Sequence, residues 1–259
     1  MQKITIKKIL KKKNKTPIVC LSLYSKTMAE VADKYCDIIL VGDSLGMVLH
    51  GMKTTKEVNL DTMILHGKTV KKSVKKSLVV VDMPYKTYTS ELSAYKNAKK
   101  IINKTKCDAV KLEGGKKIIN IIKFLVKKGV PVMGHVGLLP QSSTKFKLKG
   151  KSSNQKREIF EDAKAVSNAG AFAIVVECVV ESLAQKITKN IGIPTIGIGA
   201  SKYCDGQILV IDDMLGLTNF VPRFVKIYSN LKNIADESVK NYTQDVKKRR
   251  FPSSENVYS

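Results

Sequence analysis

Short apolar runs rich in β-branched residues recur along the chain, separated by longer stretches whose apolar residues return every three or four positions. The short runs fall at 18–23, 38–41, 78–81, 109–112, 132–133, 172–176, 195–198 and 208–210. They do not alternate apolar with polar, so they predict parallel strands buried on both faces. The longer stretches predict helices over 28–34, 90–103, 117–127, 158–168, 183–190 and 224–239. A further helix, at 4–10 within a segment of about 3–13, precedes the first strand and is placed to plug the bottom of a barrel. Strands alternating with helices predict an α/β protein with a parallel sheet. Eight such units favour a closed (β/α)8 TIM barrel over an open doubly wound sheet. No repeat or compositional break divides the chain, so 1–259 is expected to form a single barrel domain. Within it, the polar, Lys-rich stretch 141–156 predicts a mobile loop after strand five, and 246–259 a loose tail.

The 259 residues can bury a large core. Hydrophobic residues at 43% and charged residues at 26% match an ordinary globular chain, which excludes extensive disorder. The formal net charge of +24 changes the picture more. It implies either a polyanion, such as nucleic acid or a membrane surface, or a general bias toward Lys. The bias is favoured, because Arg occurs only at Arg157, Arg223, Arg249 and Arg250. Arg is the residue that grips phosphate and base edges in a bidentate way. Trp is absent and aromatics are 6%, leaving few stacking platforms. Neither nucleic acid nor a membrane is therefore expected as a partner. The five cysteines, Cys20, Cys36, Cys107, Cys178 and Cys204, are odd in number and lack Cys-x-x-Cys spacing. They predict free thiols in a reducing compartment. No run reaches the ~18 apolar residues that span a bilayer, and the basic N-terminal segment lacks a signal-peptide core, so the cytoplasm is the expected location.

Polar residues gather at the C-terminal ends of the expected strands. Asp43 and Ser44 follow strand two, Asp82 strand three, Lys111 and Glu113 strand four, His135 strand five and Glu177 strand six. In a (β/α)8 barrel the active site is built at that face. Converging carboxylates repel one another and are costly to bury unless a cation holds them. Asp43, Asp82 and Glu113 offer only oxygen, which suits Mg²⁺ and disfavours zinc. Alternatively, each Asp caps a following helix or turn. Lys111, two residues before Glu113, is expected to face the same way. It either offsets charge on an anionic ligand or forms a structural ion pair. His135, after Gly134, either hydrogen-bonds a ligand or is a satisfied core histidine. Glu177 leaves a long apolar strand, which suits a partly desolvated general base, or else it is a surface glutamate. Gly197-Ile198-Gly199 lacks the third glycine of a dinucleotide fingerprint, since Lys202 stands there.

Seven segments, in order, resemble the ketopantoate hydroxymethyltransferase family. They are 41–47 (VGDSLGM), 82–84 (DMP), 110–115 (VKLEGG), 134–138 (GHVGL), 176–179 (VECV), 193–200 (IPTIGIGA) and 205–210 (DGQILV). The resemblance runs from about Ile18 to Lys226. It implies a barrel of the phosphoenolpyruvate/pyruvate superfamily. It implies transfer of a hydroxymethyl group from 5,10-methylenetetrahydrofolate to 3-methyl-2-oxobutanoate, giving 2-dehydropantoate in pantothenate biosynthesis. One Mg²⁺ per subunit and a homodecamer come with it. The family's metal positions fall on Asp43, Asp82 and Glu113, its substrate contacts on Asp43, Ser44, Asp82 and Lys111, and its proton acceptor on Glu177. His135 joins the substrate contacts as an expectation from its strand-end position. The sequence departs from the family at a shortened loop over 145–151, at Leu139 where Thr is usual, at Ser25 where Asp is usual and at Asp212 where His is frequent.

Other functions fit less of the sequence. A lyase on the same barrel needs a loop cysteine in a Lys-Lys-Cys-Gly setting, which is absent. A basic RNA-binding protein leaves the strand-end carboxylates unexplained. A barrel without catalysis leaves the full set of Asp43, Asp82, Lys111, Glu113 and Glu177 without a purpose.

Overall fold

A computed structural model describes residues 2–143, 147–219 and 221–258. It contains two compact units, Met1–Val210 and Ile211–Ser259. In the first unit, parallel strands close a barrel in chain order. They are β1 (Ile18–Ser22), β2 (Ile38–Val41), β3 (Leu78–Asp82), β4 (Ala109–Lys111), β5 (Val132–Gly137), β6 (Ala173–Glu177), β7 (Thr195–Ile198) and β8 (Gly206–Val210). The helices are α1 (Ile6–Lys11), α2 (Lys26–Ala32), α3 (Leu45–Val48), α4 (Leu60–Ser73), α5 (Glu91–Thr105), α6 (Ile119–Lys127), α7 (Ser153–Asn168) and α8 (Glu181–Asn190). The expected barrel and every expected strand position are present, with shifts of a residue or two at most ends.

Alternate strand residues point inward, as the period of two requires. Cys20, Leu40, Val80, Ala109, Met133, Val175, Ile196 and Ile208 join one buried cluster. Ile4 and Ile9 belong to that cluster, so the first helix does plug the barrel. Ile9 is fully buried. Truncating it to Ala is expected to cost about 2–5 kcal/mol, because the site cannot collapse around the cavity.

Lysines pin the plug. Lys12 Nζ reaches Asp37 at 2.7 Å, Lys13 Nζ reaches Asp205 at 2.8 Å and Lys3 Nζ reaches Asp108 at 2.6 Å. Lys71 meets the second oxygen of Asp108, also at 2.6 Å. These aspartates precede β2, β8 and β4, and each also accepts a backbone N–H: Val19 for Asp37, Asn14 and Thr195 for Asp205, Val79 for Asp108. The bottom of the barrel is thus a ring of paired charges around apolar ends.

Several expectations are corrected. Helix α4 was hidden by Gly67 in its middle; a Cβ there would stand 2.8 Å from Thr105 Cγ2, so the glycine lets α4 approach α5. After α4 the chain bends at Lys75 and Lys76, whose backbone N–H groups donate to Asp33. Strand β5 runs well past Met133, to Gly137. The stretch 141–156 is loop only in part, because α7 begins at Ser153; Thr144, Lys145 and Phe146 lie outside the described residues.

The second unit holds α9 (Ile211–Met214) and α10 (Leu231–Lys247). The expected helix at 224–239 starts late because Tyr228 N donates to Met214 O and Leu231 N to Leu215 O. Those bonds fold the segment back onto α9. Only 248–258 of the expected tail is non-helical or forms a short turn, Ser254–Asn256, and Ser259 lies outside the described residues. No helix among the described residues is long and apolar enough to cross a membrane. Cys20, Cys36, Cys107 and Cys204 are buried, Cys178 is half-buried, and all five are free thiols.

Candidate active site

The strand ends bring the expected charged residues together at the mouth. Asp43 follows β2, Asp82 ends β3, Lys111 ends β4, His135 lies within β5 and Glu177 ends β6. Asp43, Asp82, Lys111, Glu113 and His135 are all buried. Lys111 Nζ stands 3.1 Å from Asp82 Oδ1 and 3.9 Å from Glu113 Oε1. Asp43 N donates to Asp82 Oδ2 at 3.1 Å. Asp82 Oδ1 is nonetheless buried without a well-formed hydrogen bond. Gly42 leaves room for the neighbouring hydroxyls, since a Cβ there would stand 2.7 Å from Ser22 Oγ and 3.1 Å from Ser44 Oγ.

His135 sits between two glutamates. Its Nδ1 is 3.5 Å from Glu113 Oε1, and its Nε2 is 3.2 Å from Glu177 Oε2, off the line of a good hydrogen bond. Lys111 Nζ is 3.4 Å from Nδ1. Burial and the Lys111 ammonium oppose charging of the ring, but the two glutamates outweigh them and push its pKa up to about 9. His135 is therefore neither a satisfied core residue nor isolated; it couples Glu113 to Glu177. Glu177 is partly desolvated, with 14% of its side chain exposed.

The carboxylates divide into two groups. Burial, with the charges of Asp82 and Glu113, drives the Asp43 carboxyl well above the usual range. Burial and Glu113 raise Asp82 too, against the pull of Lys111. Burial also acts on Glu113, but His135, Lys111 and the Gln141 N–H hold it low. Asp82, Glu113 and Asp43 together raise Lys111 despite its burial. The cluster carries more negative charge than its two cations offset. Among the described residues, no three His, Cys, Asp or Glu side chains stand close enough to enclose a metal ion.

Ser44 lies at the start of α3, and its Oγ is 2.7 Å from the Tyr24 hydroxyl. Ser22 Oγ donates to that hydroxyl in turn, at 3.2 Å. Gly134 serves a structural end, since a Cβ there would strike Val166 of α7 at 2.4 Å.

Sequence reasoning missed Gln141 and Tyr88. Gln141 is buried, and its Nε2 donates to Asp43 Oδ2 at 2.7 Å and to Met83 O at 2.9 Å. Its N–H donates to Glu113 Oε2 at 3.0 Å, and the Tyr88 hydroxyl donates to Gln141 Oε1. One residue thus ties Asp43 to Glu113. The available signal was the apolar run Val136–Pro140 just after His135, which keeps the chain at the mouth. A cavity of about 380 Å³ opens here, lined by Tyr85, Lys86, Tyr88, Thr89, Glu113, Gln141 and Ser142.

The arrangement can hold a small anion, a hard cation, and a base beside an apolar wall. Known proteins match the chain over most of its length. A family model described as ketopantoate hydroxymethyltransferase covers residues 3–254. The 3-methyl-2-oxobutanoate hydroxymethyltransferase of Pelagibacter ubique is 54% identical over 97% of this chain and 99% of its own. That of Bartonella henselae is 51% identical over 100% of this chain and 95% of its own. Among solved structures, a 2,3-dimethylmalate lyase of the PEP mutase/isocitrate lyase superfamily superposes with TM-score 0.63 at 13% identity, covering 99% of this chain and 89% of that one. A phosphonopyruvate hydrolase complex with oxalate and Mg²⁺ gives TM-score 0.62 at 11% identity, covering 99% and 93%. The two solved structures show the fold alone.

Proposed function

Since this chain belongs to the ketopantoate hydroxymethyltransferase family, we propose that its barrel mouth is where a hydroxymethyl group passes from methylenetetrahydrofolate to 3-methyl-2-oxobutanoate, giving 2-dehydropantoate. The observation that carries this reading is the buried, under-compensated cluster of Asp43, Asp82 and Glu113 beside Lys111, opposite Glu177.

The residues fit Mg²⁺. Asp82 Oδ1 lacks a good hydrogen bond, and Asp43 and Asp82 are raised by their mutual burial, so a hard cation satisfies both. Mg²⁺ commonly takes one or two carboxylates and keeps several waters, so it does not need a closed cage of side chains. Asp43 and Asp82 would hold it, with Glu113 acting through water. When bound, it supplies Lewis-acid stabilisation of the negative charge that grows on the keto oxygen.

The chain's own groups do the rest. Lys111 and Ser44 bind and orient the substrate carboxylate, with Ser44 Oγ held by Tyr24. Glu177 takes the proton from C3 of the oxo acid. His135, charged beside Glu177, holds the base in place. Gln141 keeps Asp43 and Glu113 in register. Water opens the methylene bridge, so that its C–N bonds break, tetrahydrofolate leaves and the one-carbon unit stands at the aldehyde level; C3 of the enolate then bonds to that carbon, whose oxygen takes the proton held by Glu177. The homodecamer of the family and a cytoplasmic location belong to the same reading, and the free thiols suit a reducing compartment.

The test is turnover with defined substrates. Purified protein with Mg²⁺, 3-methyl-2-oxobutanoate and ¹³C-labelled methylenetetrahydrofolate should yield singly labelled 2-dehydropantoate by mass spectrometry. A chelator should stop it. Folded protein that forms no labelled product with Mg²⁺ would overturn the assignment.

A further inference from the structure

The mouth has an acidic floor and a basic rim. Glu113 lines the cavity, and the buried Asp43 and Asp82 lie at the neighbouring strand ends. At the rim, Tyr85 and Lys86 line the cavity beside Tyr88. Lys56, in the turn Thr55–Glu57 that precedes α4, reaches the Tyr85 ring from a different loop, 5.6 Å from its centroid. Lys86 stands 5.5 Å from the same centroid. Lys86 adopts φ 63°, a conformation that side chains other than glycine rarely take, just where it meets Tyr85. Among the described residues neither ammonium has a carboxylate partner; the nearby Glu57 carboxylate caps Thr54 N instead.

Two cations on one aromatic ring, both without an acid among the described residues, form a site that an anion completes. A ligand with a neutral ring system and an acidic tail would enter ring first. Its tail would be repelled by the floor carboxylates and drawn to the rim. We propose that Lys56 and Lys86, set against Tyr85, cradle the glutamyl carboxylates of the folate co-substrate and give the protein a preference for polyglutamylated forms. This rests on the function proposed above and assigns residues to the co-substrate's tail. Both ammonium groups lie within cation–π reach of the Tyr85 ring, which holds them at the rim. Each glutamate added to the tail brings one more carboxylate to that pair.

The experiment compares binding of tetrahydropteroyl-monoglutamate and -pentaglutamate, by calorimetry, to the full chain with Mg²⁺ and oxo acid. The wild-type protein should bind the pentaglutamate about 5- to 20-fold more tightly, the range expected for two exposed charge contacts. In Lys56→Gln/Lys86→Gln the ratio should fall to about 1. Raising the salt concentration should reduce the wild-type ratio in the same direction. Tyr85→Leu, which keeps both charges but removes the ring, should give an intermediate ratio. Equal binding of the two folates by the wild-type protein, or a preference that survives in the folded double variant, overturns the proposal. Product formation by the wild-type protein reports separately on the reaction. Turnover without a tail preference removes the lysine cradle alone, and a lysine-dependent preference without turnover removes the reaction alone.

Discussion

At the bottom of the barrel, Asp37, Asp108 and Asp205 each meet at least one lysine and a backbone N–H. At the mouth, Asp43 and Asp82 share one ammonium with Glu113. Burial acts on both ends, yet the outcomes are opposite. Lys3, Lys71 and the Val79 N–H hold Asp108 below the usual carboxylate range. Burial, together with neighbouring carboxylates, pushes Asp43 and Asp82 above it. The bottom stabilises the fold; the mouth strains against it. A barrel can tolerate that strain because its strands are fixed from the other end.

The comparison is broken most sharply by the proton acceptor. Glu177→Gln should lower turnover about 10²- to 10⁴-fold while the melting temperature and oxo-acid binding stay close to wild type. A variant with unchanged turnover would remove Glu177 from its role. Metal addition is the next largest effect. Mg²⁺ at a hundred times its Kd should stabilise the protein by about 2.7 kcal/mol, read as a rise in melting temperature. Asp82→Asn should abolish that rise.

Single substitutions at the two ends should differ in sign. Asp108→Asn leaves two lysines short of a partner and is expected to cost about 1–3 kcal/mol in urea unfolding. Asp43→Asn in metal-free protein relieves repulsion and should be neutral or stabilising by about 1 kcal/mol. Equal losses from both substitutions would contradict the contrast between the ends.

The smallest effect is in pH dependence without metal. Asp108, lowered on folding, contributes stability that is present above its unfolded value of about 3.9 and lost as pH falls through its folded one. Asp43, raised on folding, works the other way: stability declines as pH climbs from about 3.9 toward its folded value. His135, raised to about 9, contributes stability that is full below its unfolded value of about 6.5 and lost as pH rises through about 9. Denaturant titrations should show the acid limb flattened in Asp108→Asn. The alkaline limb should be flattened in His135→Gln.

Much of this was legible in the sequence, because the apolar runs without alternation can form only strands covered on both sides. The ionisable residues at their ends followed directly, since a strand's last inward residue must face the mouth. Helix α4 was not legible: Gly67 interrupts its apolar stripe for the sake of a contact with Thr105. Gln141 was legible only through the apolar run Val136–Pro140 before it, because a lone amide in a polar stretch carries no period. Its place is fixed by Asp43, Glu113 and Tyr88, which are distant in the chain. The late start of α10 depends on backbone bonds to Met214 and Leu215 that no local propensity encodes.

The most direct measurement is proton NMR of 3-methyl-2-oxobutanoate in D₂O with the protein, with and without Mg²⁺, tetrahydrofolate being added in a parallel sample so that a closed site is also sampled. Loss of the C3 proton signal that requires both Mg²⁺ and Glu177 is the predicted result. A C3 signal that persists in every sample of folded protein, or exchange that proceeds equally in Glu177→Gln, would contradict a metal-assisted, Glu177-driven proton abstraction at this mouth.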